Sequence, residues 1–319
     1  MKNLRKKKGT EMKQGFVSAA LGELSFEEVV DFAGQNGFSC VEMACWPKGR
    51  ADRRYAGVTH IDADRLDDAG IDYVLSYCRE RGVEISSLAY YPNMMDSDLE
   101  KRAYAVRHLE RLICASADMG VHMVSTFAGR MTDRCVEENL KEFEKVWEPI
   151  VKLAEDKKVR IAIENCPMIF TSDEWPGGKN LASTPAIWRQ LFSILPSSYL
   201  GLNYDPSHFI WQKMDYIRPI YEFRDKIFHV HYKDIKLHED RLADVGVMAP
   251  PLQYMTPRIP GHGDVDWGGY IAALLDIGYR GAACIEIEDK AYEHSTEGVE
   301  EALLTSRTYL SQFIGGGNI

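Results

Sequence analysis

Short apolar runs of strand length alternate with longer stretches of helical period along almost the whole chain, and this alternation constrains the fold more than any other feature. Strands are predicted at 15–21, 40–45, 84–90, 122–128, 160–166, 199–205, 227–234 and 282–288. A helix follows each: one opened by the capping-box pattern S-F-E-E from Ser25 to Glu28 and ended by Gly37, then helices at 66–81, 98–119, 136–157, 185–195, 215–223, 267–277 and 296–313. Thr184-Pro185 marks a helix start, since Thr caps and Pro at the first helical position lacks only an N–H that would be unpaired anyway. Eight strand–helix units predict a parallel sheet closed into a (β/α)₈ TIM barrel. A doubly wound open sheet would carry a Gly-rich turn after its first strand, and Gly22-Glu23 is not one.

Length agrees with a single barrel. Such a fold takes about 250 residues, and most of the surplus in this 319-residue chain falls in three long stretches, 46–65, 167–183 and 235–266, after strands two, five and seven. All three lie on the face where barrels of this kind build their sites. The division expected is a basic tail over residues 1–12 and one catalytic barrel over 13–319. Residues 1–13 carry six basic side chains against Glu11, so from a total of −10 the remainder of the chain holds −15. That balance disfavours a sequence-independent grip on nucleic acid. The basic run is followed by no apolar segment of signal-peptide type, and no stretch reaches the roughly 18 apolar residues of a membrane span. The seven cysteines form no C-x-x-C pair and read as reduced thiols. A soluble, cytoplasmic protein is expected.

Strands buried on both faces should be nearly all apolar, and the last four break that rule at their C-terminal ends. The fifth, R-I-A-I-E-N-C, carries Glu164; the sixth, G-L-N-Y-D-P-S-H, carries Asp205 and then His208; the seventh is F-H-V-H-Y-K-D and the eighth C-I-E-I-E-D. Alternation puts His229, His231 and Lys233 on one face of their strand and Glu286 and Glu288 on one face of theirs. If those faces form the lumen, Glu164, Asp205, His231 and Glu286 converge. Three carboxylates packed together repel and resist ionisation, and a divalent cation removes the conflict. Three oxygens and one imidazole suit Mn²⁺, Mg²⁺ or Co²⁺ better than Zn²⁺, which more often takes extra His or Cys. Any one of these residues alone reads as structural; the set on four consecutive strands points to a metal centre. His229, deeper on the same face, reads as a core histidine or as a support for a ligand.

These motifs, with P-G-H-G-D-V-D-W from Pro260 and G-Y-R-G-A-A-C-I-E ending in Glu286, resemble the xylose-isomerase-like TIM barrels over about residues 13–313. That superfamily holds sugar isomerases, ketose 3-epimerases, inosose dehydratases and endonuclease-IV-type enzymes. The resemblance implies one divalent metal on Glu164, Asp205, His231 and Glu286, with Mn²⁺ first and Co²⁺, Mg²⁺ or Zn²⁺ as alternatives, and an assembly that is often homo-oligomeric. It also implies acid and base roles for the two glutamates. The epimerases carry a Glu six residues after the fifth-strand Glu and an Arg six residues after the seventh-strand His; here those places hold Phe170 and Leu237. Lys233-Asp234 is closer to the inosose-dehydratase and general sugar-phosphate-isomerase branches, so a free ketohexose is not assumed as substrate.

The chemistry expected is proton transfer at a carbon next to a sugar carbonyl, with the metal stabilising the enediolate as a Lewis acid. Glu164 and Glu286 would exchange the proton, Lys233 would donate to the developing oxyanion, and His208 would bind a hydroxyl or steer a proton. The product is an isomer or epimer; the alternative on the same site is a lyase, dehydratase or hydratase acting on keto-sugars or 3-keto-glycosides. The sugar would be held by Trp46, Tyr90, Asn165, Trp175, His208, Lys233, His262 and Glu42, with Tyr91, Phe127, Arg130 and Asn180 nearby. A histidine-poor lumen in an acidic body argues against endonuclease chemistry, and the intact ligand set argues against a silent barrel.

Overall fold

A computed structural model describes residues 12–48, 55–169 and 178–314. The barrel strands are β1 (Lys13–Val17), β2 (Cys40–Ala44), β3 (Glu84–Ala89), β4 (Met123–Thr126), β5 (Arg160–Glu164), β6 (Leu200–Tyr204), β7 (Ile227–Tyr232) and, last in the chain, β10 (Ala282–Ile285). They pair in parallel in the closed order β1-β10-β7-β6-β5-β4-β3-β2. Around them lie α1 (Phe26–Gln35), α2 (Asp68–Glu80), α3 (Leu99–Asp118), α4 (Val136–Lys157), α5 (Pro185–Ile194), α6 (Ser207–Trp211), α7 (Arg218–Glu222), α9 (Trp267–Asp276) and α10 (Thr296–Ser311). The predicted (β/α)₈ barrel is the fold.

Local chemistry explains the boundaries. Ser25 accepts from the Glu28 N–H while the Glu28 carboxylate accepts from the Ser25 N–H, so the capping box starts α1. Thr184 accepts from Ile187 N at the start of α5, with Pro185 in the first turn. The helices pack apolar faces on the outside of the barrel; Phe143 and Trp147 of α4 are fully buried there, and the Trp147 indole donates to Ala128 O at 2.9 Å.

Three expectations need correction. The first strand stops at Val17, and residues Ser18–Leu21 turn as a 3₁₀ helix. Met12, assigned to the tail, is buried in the core. Residues 235–266 are not a plain loop: β8 (Asp234–Leu237) and β9 (Met255–Arg258) form an antiparallel hairpin that carries α8 (Glu239–Val245). The chain leaves the barrel at Lys233 because of its neighbour. The buried Asp234 carboxylate accepts five hydrogen bonds, through Oδ1 from Ile235 N (2.9 Å) and Val265 N (3.1 Å), and through Oδ2 from Gly261 N (3.0 Å), Gly263 N (3.2 Å) and the Trp267 indole (2.9 Å). One side chain thereby closes the P-G-H-G-D segment onto the hairpin. Gly263 is required in that wrap, since a Cβ would sit 2.1 Å from Asp234 Oδ1.

Replacing Asp234 by Ala leaves those donors buried without an acceptor, and we expect a loss of at least about 3 kcal/mol in urea unfolding, with Asp234→Asn in between. A loss below about 1 kcal/mol would contradict this account.

Candidate metal centre and cavity

Four strand ends bring the ligand set together. Glu164 ends β5, Asp205 follows β6, His231 is near the end of β7 and Glu286 follows β10, and these four strands are contiguous around the barrel. One donor atom from each residue falls within 4.8 Å of the others, and all four side chains are buried. Glu164 Oε1, Asp205 Oδ2 and His231 Nδ1 are buried atoms without a hydrogen bond, and all three are aimed at this point. Native interiors rarely leave such atoms unsatisfied. Three oxygens and an imidazole nitrogen so disposed fit a divalent cation.

Positive charge already reaches these oxygens from the protein. Lys233 Nζ is 2.8 Å from Glu286 Oε2, 3.1 Å from Asp205 Oδ2, 3.6 Å from Glu288 Oε2 and 3.8 Å from Glu164 Oε1. Burial alone would raise the Glu164 and Asp205 carboxyls. The ammonium of Lys233, with His208 and His231, outweighs it and holds both well below the usual carboxylate range. By the same reciprocity Lys233 is held cationic against its own desolvation by Glu286, Glu288, Asp205 and Glu164.

A second layer lies beneath. Glu42, expected to bind sugar hydroxyls, is fully buried below the site, with Oε2 3.1 Å from His231 Nε2 and 3.3 Å from His229 Nδ1. Its other oxygen accepts from the Tyr91 hydroxyl at 2.6 Å. Glu42 thus faces His231 Nε2 from below, while Nδ1 faces Glu286 Oε2 at 3.2 Å and Glu164 Oε1 at 3.7 Å. Asn165 bridges to Asp205, accepting from its N–H at 2.8 Å and donating to its C=O at 2.9 Å. Asn180 donates to the carbonyls of Glu164 and Cys166, at 2.8 and 2.7 Å. His208 Nε2 lies 3.2 Å from Asp205 Oδ2 and 3.5 Å from Glu164 Oε1.

Above the ligand set opens a cavity of about 320 Å³. Of the expected substrate contacts, Trp46 and Lys233 line it, as do Glu164, Glu286, Tyr91 and Phe127. Four others do not. Tyr90 points out of the lumen, its ring wedged between Trp46 and His108 with centroids 4.8 and 4.6 Å away. Asn165 and Glu42 are committed to Asp205 and His231, and His262 sits in the turn that wraps Asp234. His208 borders a small adjoining cavity instead. Trp175 lies outside the described residues. Sequence reading missed Asp234 as an organiser and Glu42 as the partner of His231; the lumenal parity of Glu42 was the available signal. All seven cysteines are free, five of them buried, and among the described residues no helix is long and apolar enough to cross a membrane.

The chain is similar to the uncharacterized protein YfiH of Bacillus subtilis (strain 168), at 24% identity over 303 residues, covering 87% of this chain and 93% of that one. In fold it is similar to the IolI protein with a bound zinc atom (TM-score 0.69, 18% identity, 96% of this chain and 100% of that one). D-Psicose 3-epimerase, solved in the presence of D-fructose, superposes with a TM-score of 0.66 at 15% identity over 96% of this chain and 100% of that one. The family model described as xylose isomerase-like TIM barrel matches residues 30–309. With the closed barrel and its strand-end carboxylates, that match shows the chain to be a member of the xylose isomerase-like TIM barrel family.

Proposed function

We propose that the protein is a divalent-metal-dependent sugar isomerase or epimerase that transfers a proton at a carbon next to a carbonyl. The observation that carries this reading is the convergence at the floor of the cavity of Glu286 with donor atoms of Glu164, Asp205 and His231 that are buried, lack a hydrogen bond and are met only by neighbouring charged groups. A zinc-bound neighbour and an epimerase neighbour of the same fold support it. Held by those four residues, a divalent ion, Mn²⁺ by preference, supplies Lewis-acid polarisation of a carbonyl and an adjacent hydroxyl oxygen.

The chain's own residues do the rest. Glu164 and Glu286 stand at the two ends of the four-strand arc, so they address a bound carbon from different sides. One takes the C–H proton; the other returns a proton to the opposite face of that carbon, or to its neighbour. Lys233, cationic and lining the cavity, donates to the oxygen on which negative charge grows. His208 holds the Asp205 and Glu164 carboxylates in place. The position of Lys233 also favours a second reading, elimination. A glutamate removes the proton, the C–O bond β to the carbonyl breaks, and a Lys233 proton passes to the departing oxygen. A cytoplasmic location is part of the proposal, supported by the free cysteines.

In D₂O the Mn²⁺-loaded protein, offered ketohexoses, inososes and 3-keto-glycosides, should place deuterium at the carbon next to the carbonyl of its substrate. EDTA should abolish exchange and Mn²⁺ restore it, while Glu164→Gln and Glu286→Gln each lower the rate by roughly 10²–10⁴. Exchange that persists in chelator, or in both variants, would sink the proposal.

Metal binding itself should release protons. In the metal-free protein burial would lower the His231 pKa, but Glu42 and Glu286 raise it well above the ordinary value, so His231 must lose a proton to become a ligand. Calorimetric titration in buffers of different ionisation enthalpy should therefore show about one proton released per ion near neutral pH, and affinity that rises with pH. Glu42→Gln should weaken metal binding by roughly 10- to 100-fold. Unchanged affinity in that variant would show that Glu42 does not position His231.

A further inference from the structure

The small cavity that His208 borders has a volume of about 20 Å³, room for one water or one ion. Its wall is rich in sulfur. Cys166, Met168 and Met255 line it together with His208 and Trp211, while Lys233 and Glu288 border both this cavity and the main one. Cys166 Sγ lies 3.6 Å from Met168 Sδ. Donor atoms of Glu164, Cys166 and His208 fall within 4.8 Å of one another, and all three residues are more than nine-tenths buried. Among the described residues Glu164 Oε1 and His208 Nε2 make no hydrogen bond; His208 Nε2 stands 3.5 Å from that oxygen and 3.2 Å from Asp205 Oδ2.

A carboxylate, a thiol and an imidazole differ in kind from the oxygen-rich set on the strand ends. Thiolate with imidazole favours Zn²⁺ over Mn²⁺ or Mg²⁺, and three protein ligands with a fourth position left to water is an arrangement zinc adopts. We propose that Glu164, Cys166 and His208 form a second cation site, selective for Zn²⁺, and that zinc bound there inhibits the protein by engaging Glu164. The inhibition rests on the proposed proton-transfer function, in which Glu164 must be free to move a proton; a carboxylate shared by two cations is not available as a base. The charges permit both ions. Glu164, Asp205, Glu286, Glu288 and the Cys166 thiolate supply five negative charges, matched by Lys233 and two divalent cations. Binding releases the thiol proton to solvent. Coordination through His208 Nε2 leaves the ring hydrogen on Nδ1, where the Trp211 indole nitrogen, at 3.5 Å, is beyond ordinary hydrogen-bond length.

Cobalt reports a thiolate ligand directly. Added to the Mn²⁺-loaded full chain, Co²⁺ should give a near-ultraviolet sulfur-to-cobalt charge-transfer band, and elemental analysis after dialysis against Zn²⁺ should find two ions per chain. In Cys166→Ser and in Cys166→Ala the band should vanish and the count fall to one, the remaining ion showing that the fold stands. Cys135→Ser, which removes the exposed thiol, should change neither reading. Zn²⁺ should also suppress Mn²⁺-dependent deuterium exchange. In Cys166→Ser, read against its own zinc-free rate, the inhibiting concentration should rise by at least the roughly 10- to 100-fold that loss of a mere supporting residue produces. A band that survives both Cys166 substitutions, one Zn²⁺ per chain in the wild type, exchange undiminished with both ions bound, or a zinc sensitivity unmoved by Cys166→Ser would each overturn the inference. The two claims separate cleanly. Mn²⁺-dependent exchange without a charge-transfer band leaves the proton-transfer reading standing and removes this site; a band that depends on Cys166, with no exchange on any keto-sugar, does the reverse.

Discussion

Buried negative charge is the constraint around which this barrel is arranged. Glu164, Asp205, Glu286 and, below them, Glu42 point into a lumen from which water is largely excluded, and such a group of carboxylates is tolerable only if cations and donors face it. Lys233, His208, His229 and His231 do so. His229 and His231 are on β7, Lys233 directly follows it and His208 is in α6 just after β6, so three of the four acids meet their cations on adjacent strands, while Glu42 reaches the two histidines from β2 across the lumen.

Around that centre, asparagine and aspartate side chains do what loops alone would not. Asn165 ties the end of β5 to the Asp205 backbone, Asn180 ties the 178–182 segment to Glu164 and Cys166, and Asp234 gathers the hairpin and the P-G-H-G turn. Asp289 extends the restraint, accepting from Arg258 at 3.0 Å and from Ile259 N at 3.3 Å. Glu164 and Lys233 thus each stand next to a residue whose own polar atoms are spent mainly on backbone, an arrangement that keeps functional groups in register on otherwise irregular chain.

Features set by short-range chemistry were legible in the sequence. The Ser25–Glu28 box, the Thr184-Pro185 start and the parity of Glu164, His231 and Glu286 all depend on spacings of a few residues. What depends on distant partners was not. Asp234 reads as one more strand-end acid, because four of its donors lie 27–33 residues downstream. Glu42 shows its lumenal parity but not its depth, which decides whether it meets a ligand or His231. Tyr90 and Tyr91 are indistinguishable in composition, yet alternation sends one to the helix layer and the other to the cavity. Chain direction near residues 235–266 was equally hidden, since an antiparallel hairpin there is held by contacts the local pattern does not contain.

The division of the cavity wall between strands also divides the chain along its length. Every charged lining residue comes from residue 164 onward, whereas all those contributed before residue 128 are uncharged. Changes of volume at Val17, Ala19, Ala44, Ala89 or Phe127 would accordingly reshape the cavity without altering its charge. The amino-terminal half is thus the mould, tied to the chemistry of the carboxy-terminal half through Glu42 beneath His231 and His229.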